Sequence, residues 1–164
     1  MRLPDPSLPW PIPMAGVALV AEFEGCRLSS YRCSAGVWTC GWGETDGVTP
    51  RTKWTQAYAD QRFCESLTER AKAVNALCIH PVTDNQLAAL TSLSYNIGIA
   101  GLRGSTVMKC HNQGDHPAAA RAFGLWNKAR VNGALTVLAG LTRRRAAEAA
   151  LYLKPDDPRP VEAK

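Results

Sequence analysis

The chain has 164 residues, a length that normally forms one domain able to bury its own core. Hydrophobic residues make up 46% and charged residues 20%, which excludes a disordered or fibrous protein, and the absence of a long apolar run predicts no transmembrane helix. The net charge of +5 favours polyanions such as nucleic acid, anionic lipid or cell-wall polymers. No zinc finger, RNA-binding aromatic signature or basic zipper accompanies that charge, so nucleic-acid binding is not expected.

The spacing of cysteines and histidines argues against a metal site. The six cysteines form no C-x-x-C pair and the three histidines show neither metal nor triad spacing, so neither a metal nor a cofactor is predicted. In a cytoplasmic protein the thiols should be reduced, and the sequence leaves open whether Cys26 pairs with Cys40, or Cys64 with Cys78, after export. The histidines are expected at the surface or at helix caps; they are His80, His111 and His116.

The chain opens with an extended arm and a helix. Residues 1–13 contain five prolines, which favours an extended arm, and the sequence leaves open whether Trp10 pins this arm to the body. Over residues 14–26, apolar side chains recur at helical spacing and predict the first helix. Glu24 lies three or four positions after apolar residues of that helix, on its inward face, where partial desolvation suits a carboxyl for general acid catalysis.

A small β-lobe is predicted from about residue 28 to 47. Ser34-Ala35-Gly36 has the composition of a turn, and a short strand flanks it on each side. If Cys33 and Val37 face each other, strand alternation puts the thiol of Cys33 and the hydroxyl of Thr39 on one face. We therefore expect a thiol and a hydroxyl in the segment that follows Glu24.

Helices are predicted for most of the remaining chain. One stretch covers residues 55–77, and a capping box at residues 83–86 opens a helix that should stop at Gly98. Further helices are expected at 105–114, at 115–126, and from a cap at Thr142 to just before Pro155. Residues 154–164 are expected to form a loose, proline-rich tail. The pattern predicts an α+β fold with a mainly helical body, a small antiparallel β-lobe after the first helix, and a cleft between the lobes.

The segment from Glu24 to Thr39 carries a resemblance to a known family. Glu24 and Cys33 are separated by eight residues, and Cys33 and Thr39 by five. This segment resembles the active-site region of the phage-type lysozymes, glycoside hydrolase family 24, which has Glu, then Asp or Cys, then Thr at that spacing. Segments 84–98, 104–127 and 140–148 resemble later parts of the family in the same order, so the likeness runs from about residue 15 to 153. Two departures are Cys33, where many members have Asp, and Glu44, where many have His.

The resemblance implies a fold and an activity. The fold would be lysozyme-like, with a single catalytic domain over residues 14–153. The activity would be that of a muramidase, which hydrolyses the β-1,4 bond between N-acetylmuramic acid and N-acetylglucosamine in bacterial peptidoglycan. In that chemistry Glu24 is the general acid, and Cys33 and Thr39 position the attacking water, which fits an inverting displacement. Because a thiol with an ordinary pKa of about 8.5 is mostly neutral at pH 7, Cys33 is expected to orient water rather than to act as a strong base.

The resemblance also implies supporting residues. One arginine of the cluster 143–145 is expected to hold Glu24; spacing favours Arg143 and leaves Arg144 and Arg145 open. Trp126 is equally consistent with a core position. The candidate sugar contacts offer amides for hydrogen bonds and an indole for stacking; they are Asn96, Trp126 and Asn127.

Two other functions remain open at this point. One is a lytic transglycosylase on the same polymer, in which the muramic 6-hydroxyl replaces water, and the water-holding Thr39 argues against it. The other is a non-catalytic wall-binding module, against which both Glu24 and Thr39 argue. The resemblance further implies synthesis of a monomer in the host cytoplasm, release through a separate pore-forming protein (a holin), and action on the periplasmic cell wall that lyses the host cell. Stable membrane insertion is not expected.

Overall fold

The computed structural model describes residues 3–33, 35–155 and 158–159. The chain divides into two compact units, Met1–Glu69 and Arg70–Lys164. The architecture is of the predicted α+β class, with helices carrying about half of the chain and three short antiparallel strand pairs joined to them by turns and loops. None of the helices in the described ranges is both long and apolar enough to cross a membrane.

The N-terminal arm is docked on the first unit. The indole N–H of Trp10 donates to the carbonyl of Asp5 at 2.9 Å, and the Trp10 ring meets Phe63 edge-on with a centroid distance of 5.5 Å. The backbone N–H of Asp5 donates to the carboxylate of Asp60 at 3.1 Å, and the thiol of Cys64 donates to the carbonyl of Pro9. The sequence left open whether Trp10 pins the arm to the body, and these contacts show that it does.

The first helix ends two residues earlier than the sequence predicted. Helix α1 spans Met14–Glu24 and buries Val17, Val20 and Ala21, in agreement with its apolar spacing. Gly25 adopts a φ of 69°, a left-handed conformation that glycine tolerates and that stops the helix at Glu24.

The β-lobe follows α1 directly and is longer than predicted. Strands β1 (Arg27–Arg32) and β2 (Trp38–Gly41) pair antiparallel, with Tyr31 opposite Thr39. Beyond the predicted end near residue 47, the N–H of Trp54 donates to the carbonyl of Leu28 at 2.8 Å. The segment around residues 52–54 therefore pairs with β1 and extends the lobe. Of the predicted turn, Ser34 lies outside the described residues.

Helix α2 (Gln56–Asn75) contains the boundary between the units, and the second unit begins within it. The two-residue strand β3 (Val82–Thr83) leads into helix α3 (Asp84–Arg103), and the predicted capping box is present because Thr83 and Gln86 exchange side-chain to backbone hydrogen bonds. The prediction that this helix stops at Gly98 is confirmed for the position of the stop, because the backbone of Gly98 is not helical. Gly98 has a φ of 78°, which kinks the helix, and helical structure resumes as far as Arg103.

Two short helices follow as predicted. Helix α4 (Thr106–Asn112) is capped by Ser105, and helix α5 (His116–Phe123) is capped by Asp115, with a 3₁₀ turn at Gly124–Trp126. His111 is a correction, because it is fully buried rather than at the surface. Its Nδ1 lies 2.7 Å from the hydroxyl of Tyr152, and burial lowers the pKa of His111 to about 4.

A hairpin that the sequence analysis missed precedes the last helix. Strands β4 (Lys128–Val131) and β5 (Ala134–Val137) are joined by Asn132 and Gly133, both of which have positive φ. Helix α6 spans Ala139–Leu153, so Thr142 lies inside it and is not its cap; the Thr142 hydroxyl donates back to the carbonyl of Leu138.

The end of the predicted loose tail is partly ordered. Strand β6 (Pro158–Arg159) pairs antiparallel with β3, so the expectation of a loose tail is wrong for these two residues. Residues 156, 157 and 160–164 of the tail lie outside the described residues.

Candidate active site

Glu24 is held at the junction between helix and β-lobe. It is the last residue of α1, is partly exposed, and precedes the left-handed turn at Gly25. Its carboxyl oxygen Oε2 lies 3.6 Å from the position that a Cβ would take on Gly43, which itself has a φ of 110°. The chain between β2 and Glu44 therefore passes beside the Glu24 carboxyl, and a glycine there leaves it room.

Cys33 follows β1 and pairs with Val37 across the turn through a backbone hydrogen bond. Its backbone N–H donates to the carbonyl of Val37 at 3.0 Å, and the N–H of Gly36 donates to the carbonyl of Cys33 at 2.8 Å. Hydrogen bonding by the backbone N–H groups of Val37 and Ala35, and by the hydroxyl of Thr39, lowers the pKa of Cys33 from its ordinary value. These donors favour the thiolate, whereas the sequence alone predicted an ordinary, mostly neutral thiol.

Thr39 is brought beside Cys33, as the strand alternation predicted. It lies in β2 and is buried, and its hydroxyl oxygen is 3.1 Å from the carbonyl of Val37. A hydroxyl carries one proton and two lone pairs. Thr39 can therefore donate either to Val37 or to the sulfur of Cys33, and in both cases its oxygen can still accept a hydrogen bond.

Glu44 belongs to the same region, although the sequence analysis gave it no role. Its Oε2 accepts the backbone N–H of Trp42 at 2.7 Å. Burial, with a smaller contribution from the negative charge of Glu24, raises the pKa of Glu44 to about 7 against the opposing effects of backbone N–H groups and Arg62. The feature of the sequence that could have pointed to Glu44 is that many members of the resembled family have His at this position.

The other predicted site residues belong to the second unit. Asn96 is exposed on α3, and Trp126 is half-buried in the 3₁₀ turn rather than in the core. Asn127 donates through its side chain to the hydroxyl of Thr142 at 3.3 Å. Arg143 is exposed at the start of α6. Their predicted roles toward a sugar or toward Glu24 stay predictions.

Arg144 and Arg145, the two arginines that follow Arg143, are buried in a charged cluster. Glu148 accepts hydrogen bonds from Arg144 at 3.1 Å, from Arg145 at 3.0 Å and from the hydroxyl of Ser92 at 2.6 Å. Arg144 also donates to the carbonyl of Ser92 at 3.2 Å. These contacts join both arginines to Glu148 on α6, and Arg144 also to α3. Which arginine of the cluster 143–145 holds Glu24 stays a prediction.

Metal binding and thiol reactivity are two further kinds of chemistry that the side chains of a protein can support. In the described ranges, no group of three or more His, Cys, Asp or Glu side chains could hold a metal ion. All six cysteines are free, and Cys26, Cys40, Cys64 and Cys78 have raised thiol pKa values because they are buried. Cys33 thus differs from these four in the direction of its pKa shift.

Comparison with known proteins identifies the family to which the chain belongs. The model of the phage lysozyme family matches residues 21–148. The endolysin of Acyrthosiphon pisum secondary endosymbiont phage 1 is 39% identical over 137 residues, which are 84% of this chain and 94% of that protein. The endolysin of Bacillus phage PZA is 33% identical over 86% of this chain, and the chain spans 54% of its length.

Solved structures agree with the sequence relatives. The muramidase domain of SpmX from Asticaccaulis excentricus superposes with a TM-score of 0.83 at 38% identity, covering 89% of this chain and 99% of that one. The endolysin from Escherichia coli O157:H7 phage FAHEc1 gives a TM-score of 0.80 at 36% identity, covering 89% and 95%. The fold is that of a lysozyme-type glycoside hydrolase, a muramidase. The chain belongs to the phage lysozyme family.

Proposed function

We propose that this muramidase hydrolyses the β-1,4 bond between N-acetylmuramic acid and N-acetylglucosamine, with Glu24 as general acid and with Cys33 and Thr39 positioning the attacking water. The observation that carries the proposal is that Cys33 and Thr39 meet at Val37 in the segment that begins with Glu24: the carbonyl of Val37 accepts the backbone N–H of Cys33 and the hydroxyl of Thr39. These three residues lie in the region that the family model matches. As an endolysin, the protein acts on the peptidoglycan of the host and causes its lysis.

Glu24 supplies the proton that the leaving sugar oxygen requires. Glycoside hydrolysis needs a protonated carboxyl on the leaving-group side of the scissile bond. The position of Glu24 at the end of α1 supports this role, because the carboxyl is partly exposed and also lies beside the chain at Gly43. A carboxyl placed this way can meet a substrate and is partly shielded from bulk water.

Cys33 and Thr39 handle the water. The oxygen of Thr39 can accept a hydrogen bond from water, and the sulfur of Cys33 can accept another. A water held in this way attacks directly, which fits an inverting displacement without a glycosyl-enzyme intermediate.

The remaining parts of the proposal rest on the resemblance. Arg143 is proposed to hold Glu24, and Asn96, Trp126 and Asn127 are proposed to contact the sugars. A single catalytic domain over residues 14–153, a monomeric state, synthesis in the host cytoplasm and release through a holin complete the proposal. Co-expression with and without a holin, followed by turbidity and by fractionation of the periplasm, tests the route of release.

One digestion experiment tests the chemistry. Purified peptidoglycan digested in heavy-oxygen water should release reducing muropeptides that carry one heavy oxygen at the new anomeric carbon, initially as the α-anomer. A 1,6-anhydro product would instead assign a transglycosylase. Sedimentation with sacculi without new reducing ends would assign a wall-binding module.

The matched variants are Glu24→Gln and Glu22→Gln. Glu22 lies exposed on the other face of α1, so Glu22→Gln removes the same charge away from the site. Glu24→Gln should lower turnover by at least about 10²–10⁴-fold, the usual contribution of general acid catalysis, while circular dichroism shows an intact fold. If the folded Glu24→Gln protein kept about a tenth of the turnover or more, the assignment of the acid would be wrong.

A further inference from the structure

Asp60 is a buried carboxyl residue on α2 that the proposed hydrolysis does not use. It is 3% exposed, and its Oδ1 accepts hydrogen bonds from the indole N–H of Trp42 and from the side-chain amide of Gln56, both at 2.7 Å. Its Oδ2 accepts the backbone N–H of Asp5 at 3.1 Å. Each oxygen of the carboxyl group therefore has a donor, which offsets the cost of burying the group and fixes its orientation.

The hydrogen bond from Trp42 links Asp60 to the turn that passes beside Glu24. Trp42 is 1% exposed, and its ring stacks on Phe63 with a centroid distance of 5.5 Å. The next residue is Gly43, where a Cβ would lie 3.6 Å from Oε2 of Glu24. The indole is thus held by its face and by its N–H, and the backbone that follows it lies beside the Glu24 carboxyl.

The backbone around Trp42 needs an anchor from elsewhere in the chain. Trp42 stands between Gly41 and Gly43, whose φ values are 66° and 110°. Because glycine has more accessible backbone conformations than other residues, a Gly-Trp-Gly segment does not by itself hold one conformation. The conformation observed is therefore maintained by the tertiary contacts of the indole, among which the bond to Asp60 is the polar one that fixes its direction.

The N-terminal arm contributes to the same network. Asp5 donates to Asp60, and the ring of Trp10 meets Phe63, the residue on which Trp42 stacks. The position of Trp42 thus depends on residues of the arm and of α2 that are distant from it in sequence.

We propose that Asp60 is a positioning residue for the general acid: by holding the indole of Trp42, it keeps the Gly43 backbone beside Glu24 and so fixes where the acid lies. This inference rests on the proposed role of Glu24. Asp60 acts through Trp42 and exchanges no proton with the substrate. A displacement of about 1 Å in a catalytic group can lower turnover on the order of 10²-fold. Since the proposed sugar contacts lie in the second unit, the loss should fall on kcat and not on KM.

Steady-state kinetics of reducing-end release from solubilised peptidoglycan test this proposal. Asp60→Ala should lower kcat by about 10- to 100-fold and change KM by less than about threefold. Asp60→Asn keeps one oxygen as an acceptor for the indole and should retain kcat within about threefold. Asp46→Ala is the control, because it removes a carboxyl of the same unit whose side chain is 96% exposed, and it should leave kcat unchanged.

A double-mutant cycle tests whether Asp60 acts through the indole. Trp42→Phe keeps an aromatic face for Phe63 and removes the N–H, so it should also lower kcat. The combined variant should lose no more than the larger single loss, because both changes break the same link.

Wild-type kcat in a folded Asp60→Ala protein, or losses that simply multiply in the combined variant, would overturn the proposal. Circular dichroism and urea unfolding establish that each variant is folded. If Asp60→Ala failed to fold because two buried donors lose their acceptor, Trp42→Phe would decide alone, and wild-type kcat in that variant would equally exclude the proposed link.

A second measurement does not depend on activity. Carbon-13 NMR of carboxyl-labelled glutamates, with the Glu24 resonance assigned from Glu24→Gln, follows the titration of Glu24 in the wild type and in Trp42→Phe, which changes no charge. The Glu24 midpoint should move, because the carboxyl changes its surroundings, and an unchanged midpoint would show that the Asp60–Trp42 bond does not act on the acid. If the wild type released no reducing ends, the proposed function would fail, while this titration would still decide whether the bond positions Glu24.

Discussion

The sulfur of Cys33 receives hydrogen bonds from two backbone N–H groups and from the Thr39 hydroxyl, a setting that stabilises negative charge. A carboxylate placed there would meet the same donors. This explains in physical terms how one position can carry either Cys or Asp within the family pattern. It also means that the size and hydrogen-bonding capacity of the residue matter more than its identity.

We therefore expect a graded response when Cys33 is replaced. Cys33→Ser should keep a measurable fraction of turnover, because a hydroxyl offers a donor and an acceptor, and Cys33→Asp should be active with the same backbone donors. Cys33→Ala should be the weakest, since it removes the acceptor. Reducing-end release from peptidoglycan measures all three, with the pH dependence of thiol alkylation in the wild type beside it. Equal and near-total loss in Cys33→Ser and Cys33→Ala would contradict a water-positioning role.

Glu44 should also make stability depend on pH. Its pKa is raised to about 7 in the folded protein, above the ordinary value near 4.5, so the folded state binds a proton that the unfolded chain releases between these values. Its contribution is most favourable below pH 4.5 and is lost as pH rises through 7, at a cost of about 3 kcal/mol. Glu44→Gln should remove this loss. Urea unfolding at pH 5 and pH 8 measures it, and the same pH dependence in wild type and Glu44→Gln would contradict the assignment.

Among the structural elements, the N-terminal arm owes its order to contacts and not to regular structure. Trp10 packs on Phe63, and Phe63 in turn stacks on Trp42 with a centroid distance of 5.5 Å. The indole N–H of Trp42 donates to Asp60 at 2.7 Å, and Asp60 also accepts the N–H of Asp5. The arm and the turn that carries Glu44 therefore share one aromatic and polar network in the first unit.

Trp10→Ala should release the arm. The loss of a half-buried indole and its hydrogen bond should lower the free energy of unfolding by about 1–3 kcal/mol. Amide hydrogen exchange of residues 3–13 should then become faster. Leu3→Ala is the control, because Leu3 lies in the same arm and is 52% exposed. Unchanged exchange in Trp10→Ala would show that the prolines and the Asp5 contact hold the arm without the indole.

The hairpin of β4 and β5 carries a clear turn signal in the sequence but no clear strand signal. Asn132-Gly133 is the residue pair that favours a tight hairpin turn, because both positions need positive φ, so the signal was present and was missed. The strands themselves are exposed and lack the clear alternation of buried and polar residues that usually reveals a strand. At Gly98 the local signal was informative, since the backbone leaves the helical conformation there and a second helical stretch then continues to Arg103.

At the scale of the whole molecule, the predicted site residues fall into two groups. Glu24, Cys33 and Thr39 lie in the first unit, within 16 consecutive residues from 24 to 39, together with Glu44. Arg143 and the candidate sugar contacts lie in the second unit. The second unit also contains the buried Arg144–Glu148 cluster, whose charges are tolerated because each has partners that compensate its desolvation.

The sequence by itself determined the family and the α+β class and predicted the Glu24–Cys33–Thr39 constellation, because spacing, capping residues and turn residues act over a few positions of the chain. The tertiary structure decided which of the other polar groups are buried and with what partners. Arg144 and Arg145 hydrogen-bond to Glu148, Trp10 packs on Phe63, and Glu44 is buried beside Gly41. Burial and the choice of partner depend on residues far apart in the chain, and a carboxyl takes its pKa from that surrounding, which no local pattern contains.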